Sequence, residues 1–224
     1  MNAPVYFGLA ISNSFPSGTG SFNYIGSFEI VVQNLAFQKQ VFIWAQIGST
    51  WQDIAASYVQ SLPDNLELWS APASNGEGEF VAKYTVNSMT FWDNNGGSNY
   101  KFPQAFDEFV VLAGAEFKVV LGTAGIGVGM LDMHIGVQNL AFFKQVGIVF
   151  STDDWVTVHT ASAGYSSTMK SGLEVWHLVA PVGAASEVEF AIFYRVLGTE
   201  FWDNNFWRNY RVTPGTTKTW GDPP

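Results

Sequence analysis

The residues of this chain best equipped for chemistry are indoles set beside side-chain amides. FWDNNGGSNY fills residues 91–100 and FWDNNFWRNY fills residues 201–210, so one frame, F-W-D-N-N-x-x-x-N-Y, occurs twice. Asp-Asn-Asn suits a tight loop, because these side chains hydrogen-bond their own backbone and tolerate unusual angles. That accounts for Asp93 and Asp203. It leaves Trp92 and Trp202 without a reason. An exposed indole offers a flat apolar face that fits the C–H face of a pyranose ring, and neighbouring amides donate and accept as sugar hydroxyls do. Read this way, each decamer is a sugar platform; read the other way, both indoles are core. The residues alone weigh the two about equally.

Other chemistries find less support. Glu77/Glu79 and Glu187/Glu189 are carboxylate pairs at i, i+2, which a strand points to one side, and glycosidases use such pairs. A charged pair at a strand start is more often a solvated edge. The histidines, at 134, 159 and 177, show no metal-ligand spacing. GIGVG (125–129) follows no strand-to-helix unit, which argues against a phosphate loop. No nucleophile–base set stands out, so no catalytic residue, metal or cofactor is expected. The net charge of −9 argues against nucleic acid or an anionic membrane as partner.

The elements that must position these residues are themselves repeated. VQNLAFQKQV (32–41) returns as VQNLAFFKQV (137–146), LELW (66–69) as LEVW (173–176), and EFVAKYTV (79–86) as EFAIFYRV (189–196), in the same order. This is a duplicated unit of roughly a hundred residues, a usual domain size. The boundaries expected are 1–103, 104–214 and a tail at 215–224, with the junction near KFPQAFDE (101–108). Apolar residues alternate: Phe28, Ile30 and Val32 on one face, then Phe80, Ala82, Tyr84 and Val86 inward with Val81, Lys83 and Thr85 outward. Gly, Asn, Ser and Pro clusters punctuate the chain every eight to twelve residues. The fold class expected is all-β, two tandem immunoglobulin-like antiparallel β-sandwiches. The most apolar stretch, residues 109–131, holds Glu116, Lys118 and several glycines, and reads as strands and turns rather than a membrane span. With no cysteine and no conventional signal peptide, the expectation is a cytoplasmic protein or one exported without such a signal.

The spaced set V-x-N-hydrophobic-A-aromatic-x-K, loop Trp, E-F-x-x-x-Y and aromatic-D-N-N-x-x-x-N-Y resembles carbohydrate-binding module family 21 over about residues 20–102 and 128–212. That family includes the starch-binding domain of some fungal glucoamylases and the glycogen-targeting subunits of protein phosphatase 1. The resemblance implies two sugar sites per module. In the first, Trp51 and Trp155 match the loop Trp, Trp92 and Trp202 the D-N-N aromatic, and Asn94, Asn99, Asn204 and Asn209 the amides; Val81 and Ala191 replace a strand aromatic. In the second, Phe37 with Lys39 and Phe142 with Lys144 match, joined by Tyr58 and Tyr165, while Leu66 and Leu173 replace a further aromatic.

Of the remaining residues, Trp69 and Trp176 read as core, and Asn34 and Asn139 as loop-holding. Phe206 and Trp207, which replace Gly96 and Gly97, either extend a platform or fill an interface. The function expected is a non-catalytic, lectin-like tandem binder of oligo- or polysaccharide, of α-glucan type. The alternatives are a glycogen-targeting scaffold for a phosphatase and an accessory module of a polysaccharide-degrading enzyme. The scaffold is expected to carry an Arg/Lys-Val-x-Phe docking segment, and none is found outside the two copies.

Overall fold

The computed structural model describes residues 3–16, 22–73, 77–101 and 109–222. Twenty strands among the described residues divide between two units, Met1–Phe117 and Lys118–Pro224. The first holds β1 (Val5–Pro16), β2 (Phe22–Gln33), β3 (Lys39–Ile47), β4 (Thr50–Ala55), β5 (Ser57–Leu62), β6 (Leu66–Ala73), β7 (Glu77–Val86), β8 (Met89–Asp93), β9 (Tyr100–Lys101) and β10 (Phe109–Ala113). The second holds β11 (Val119–Gly127), β12 (Met130–Gln138), β13 (Lys144–Ser151), β14 (His159–Ser162), β15 (Gly164–Thr168), β16 (Leu173–Pro181), β17 (Val188–Val196), β18 (Thr199–Asp203), β19 (Tyr210–Val212) and β20 (Thr217–Lys218).

Each unit has two antiparallel sheets in the same order. One runs β10-β1-β2-β6-β5 and the other β4-β3-β7-β8, with β9 on β7. The second unit repeats this as β20-β11-β12-β16-β15 and β14-β13-β17-β18, with β19 on β17. The fold expected from the alternating pattern is therefore the one found, an antiparallel β-sandwich formed twice. Residues 109–131 are two strands and the start of a third, as read from the sequence.

Alternation explains the cores. Phe7, Phe28 and Ile30 point inward from one sheet of the first unit; Val41, Ile43, Phe80, Ala82 and Tyr84 point inward from the other. The rings meet: Phe80 lies 5.1 Å from Phe7 and 4.8 Å from Phe28. Burying each such side chain contributes about 1.5–3 kcal/mol. In the second unit Leu121, Leu131, Ile148 and Phe190 are fully buried.

Three expectations change. Val81 lies on the outward face yet is only 3% exposed; Trp44 stands opposite it across the ladder, so a large indole flanks it. The junction expected at 103/104 falls after Phe117, because β10 pairs with β1 and belongs to the first sandwich; residues 102–108 lie outside the described set. The stretch from 215 is no tail: Thr217 and Lys218 pair with β11, just as β10 pairs with β1, and Trp220 is buried.

Candidate functional site

Each decamer is a loop anchored by its aspartate. Asp93 accepts the Phe7 N–H at 2.7 Å, the Tyr100 hydroxyl at 3.1 Å and the Asn95 N–H at 3.2 Å. Asp203 does the same with Leu121 N–H at 2.7 Å, Tyr210 at 2.8 Å and Asn205 N–H at 3.3 Å. Burial pushes the Asp203 carboxyl up to about 6, although the hydrogen bonds it accepts pull the other way. Burial also raises the Tyr100 and Tyr210 hydroxyls. These four residues hold the loop.

The amides divide by role. Asn99 donates to Glu79 and Asn209 to Glu189, both at 2.8 Å. Asn94 and Asn204 use their side-chain oxygens to accept the N–H of Gly97 and Trp207. Their NH₂ groups have no partner among the described residues and remain available as donors. Asn95 and Asn205 close the loop onto the carbonyls of Asn99 and Asn209.

In the first unit the loop indole joins two others. β3 and β4 meet at a two-residue turn, Gly48-Ser49, where Gly48 takes φ 63°. That hairpin places Trp51 where it stacks on Trp44, with centroids 4.4 Å apart and planes 28° apart. Trp92 meets Trp44 at 5.5 Å and 62°. Lys83, paired to Asp53 at 2.7 Å, stands 5.1 Å from the Phe42 ring and 5.6 Å from that of Trp92. Trp44 was not singled out from the sequence. The signal was there: in VFIWA, Val41, Ile43 and Ala45 face the core, so a Trp between them must face out.

The equivalent face of the second unit is different. Val149 stands where Trp44 does, paired with Ala191. The β13–β14 connection is longer, and Trp155 sits in it at φ 64°, its N–H bonded to the Ser151 hydroxyl. No ring partner for Trp155 is found among the described residues. Trp202 packs edge-on against Phe193 at 6.0 Å, and its indole N–H donates to Glu200 at 2.8 Å. Arg195 lies 4.2 Å over the Phe193 ring and also pairs with Glu200, holding that carboxyl below its usual range.

The second constellation is reproduced in both units. Tyr58 stands across from Trp69, and Tyr165 from Trp176, each beside a bulge. The ring pairs are T-shaped, at 5.9 Å with 83° and 6.1 Å with 84°. Each Tyr hydroxyl pairs with a hydroxyl three residues on, Ser61 or Thr168. Tyr58 is 51% exposed and Tyr165 57%, while Trp69 and Trp176 are half-buried rather than wholly core. E-x-W puts Glu and Trp on one side of a strand, and that spacing carried the hint. Glu67 accepts the Trp69 N–H and pairs with Lys39 at 2.7 Å. Glu174 accepts the Trp176 N–H and pairs with Lys144 at 2.8 Å. Both lysines are buried in these pairs and also bond Asn34 or Asn139, which places them beneath the loop and leaves Phe37, 99% exposed, and Phe142 on top of it.

The carboxylate pairs are engaged elsewhere. Lys101, then Asn99, hold the Glu79 carboxyl below its ordinary value, and Glu189 pairs with Arg211 at 2.8 Å. The side chain of Glu77 lies outside the described set. No group of three His, Cys, Asp or Glu among the described residues is arranged to hold a metal. No helix among them is long and apolar enough to cross a membrane. Phe206 packs on Trp220 at 5.5 Å, whereas Trp207 is 76% exposed.

The profile of carbohydrate/starch-binding module family 21 matches residues 23–103 and again residues 116–213. The chain belongs to that family. It is 40% identical over 111 residues to Glucoamylase 1 of Rhizopus oryzae, covering 43% of this chain and 18% of that one. It is 38% identical over 81 residues to protein phosphatase 1 regulatory subunit 3E of Rattus norvegicus, covering 34% of this chain and 28% of that one. It thus spans less than a third of either relative's length. Two solved structures are similar. One is the starch-binding domain of Rhizopus oryzae glucoamylase in complex with beta-cyclodextrin and maltoheptaose, at 31% identity and TM-score 0.36, covering 45% of this chain and 93% of that one. The other is the carbohydrate-binding module of the muscle glycogen-targeting subunit of protein phosphatase 1, at 27% identity and TM-score 0.37, covering 43% of this chain and 75% of that one. Both modules of this family 21 chain keep the D-N-N loop and the Tyr–Trp pair; they part company on the outer face of the β3–β7 and β13–β17 ladders.

Proposed function

We propose that this chain is a non-catalytic, lectin-like binder of α-glucans of the starch and glycogen type, each family 21 module contributing a contact. The observation that carries this reading is the Tyr58–Trp69 pair and its repeat, Tyr165–Trp176, at one register in both sandwiches, together with Phe37 and Phe142, left exposed in the loops just before β3 and β13. Aromatic surface left exposed twice at the same place serves no core. An edge-on Tyr–Trp pair with a bonded hydroxyl beside it offers a ring face and polar partners together, as a sugar requires. On the other sheet of the first sandwich Trp92 and Asn94 add a second ring face and a donor, and Asn204 adds a donor in the second.

Titration of the full chain with maltoheptaose by calorimetry tests it. Saturable binding at more than one site per chain is expected, with sites lost in the Tyr58→Ala/Tyr165→Ala variant. No heat with maltoheptaose and no retention on immobilised starch would end the reading. Soluble starch incubated with the chain is expected to release no reducing sugar. The likeness to phosphatase regulatory subunits supports a second reading, in which the chain also holds a phosphatase on the glucan. Co-purification of the phosphatase 1 catalytic subunit with starch-bound chain would favour that version.

A further inference from the structure

Trp44 is on the outer side of β3, half-buried, and absent from the core cluster beneath it. It touches both of the other indoles on this face, Trp51 and Trp92. Those two stand on separate strands, β4 and β8, with β3 and β7 between them, and the ring at residue 44 spans that gap. The two planes it meets lie at 28° and 62° to its own, so the three rings form an angled bracket rather than a flat row. Successive residues of a curved chain present their faces at changing angles, and such a bracket follows them.

We infer that Trp44 is a specificity-determining residue that makes the outer face of the first module a glucan site and leaves the same face of the second module without one. This rests on the glucan reading above. At the matching place the second module has Val149 against Ala191, with Gly147 and Phe193 next along the ladder. Its loop indole, Trp155, is held in a turn, and the N–H of Trp202 is spent on Glu200. Among the described residues no ring joins those two indoles. The duplicated chain is thus asymmetric: both modules carry the Tyr–Trp contact, and the first carries a second, larger one.

Position 81 lies directly opposite position 44 on the same face, so an indole moved from one to the other stays within the bracket. The full chain is titrated with maltoheptaose as wild type, Trp51→Ala, Trp44→Val and Trp44→Val/Val81→Trp, with the thermal midpoint recorded for each. Trp44→Val copies the residue found in the second module and suits a strand. It is expected to weaken one class of sites roughly tenfold, the scale of one lost aromatic contact, and the double variant to recover most of that. If Trp51→Ala loses those sites while Trp44→Val keeps full affinity, Trp44 is packing and the inference falls. It falls also if the loss in Trp44→Val follows a drop in thermal midpoint and Val81→Trp restores neither. A wild-type chain that binds no maltoheptaose sinks the glucan reading itself, which is a separate result.

Discussion

Gly147 lies under the ring of Phe193: a β-carbon at residue 147 would come within 2.7 Å of that ring and 2.3 Å of the Ala161 carbonyl. In the first module the same two places hold Phe42 and Lys83, paired across the ladder. The ring has changed strands, and the residue facing it has shrunk to make room. Gly147→Ala should therefore destabilise the second module by about 1–3 kcal/mol, as overpacking does, whereas Phe42→Ala adds no such clash in the first. Chemical denaturation of the two variants checks this.

Asp203 sets a pH dependence. Its folded carboxyl titrates near 6 against an ordinary 3.8, so the fold holds the proton more tightly than the unfolded chain does. The stabilisation is fully present below 3.8 and is lost as pH rises through about 6. The span corresponds to roughly 3 kcal/mol. Unfolding of the second module, followed from pH 3.5 to 7 (roughly that window), should show this decline, and Asp203→Asn should flatten it.

Lys39 and Lys144 should matter more to stability than to sugar. Each belongs to a buried ion pair whose carboxylate also holds a Trp indole. Removing one partner of such a pair costs about 3–5 kcal/mol. Lys144→Met should lower the thermal midpoint sharply, and Lys144→Met/Glu174→Leu should regain much of it.

Phe206 and Trp207 should separate cleanly. Phe206→Ala strips the contact with buried Trp220 and should cost about 2–4 kcal/mol. Trp207→Ala, on an exposed ring, should change stability by less than about 0.5 kcal/mol. Parallel melts of the two variants decide it.

The cut between modules has a defined place. A fragment of residues 1–117 keeps β10 on β1; one of residues 1–103 exposes the β1 edge. The longer fragment should fold cooperatively, and the shorter should aggregate or melt at a lower temperature. If residues 1–117 and 118–224 each fold alone, comparing each with the whole chain on immobilised starch measures what the linkage adds; a short link is expected to raise apparent affinity on polymer and leave it unchanged on free oligosaccharide.

Much of this was legible because alternation and repetition are local signals. Phe80, Ala82 and Tyr84 face the core as their spacing requires, and the two decamers form the same Asp-anchored loop. What was not legible depends on partners far away in sequence. Whether Lys39 reaches solvent is decided by Glu67, 28 residues further along the chain. Val81 is covered because Trp44 stands opposite, and no pattern within EFVAKYTV records that. Residues 215–222 read as a tail because Thr217 and Lys218 are too short a strand to show alternation; their pairing with β11 makes them part of the sandwich. Tyr165 and Tyr58 are matched by register where the intervening sequences differ.

The bond from Asp93 to the Phe7 N–H spans most of the first module, and Asp203 to Leu121 repeats it in the second. The D-N-N loop is therefore pinned, in each module, by that module's own first strand, β1 or β11. Contacts of such long sequence separation form late, after the chain between them has been ordered. A half-made module has the right residues in its loop but not their arrangement, so the loop takes its shape only when the sandwich is finished.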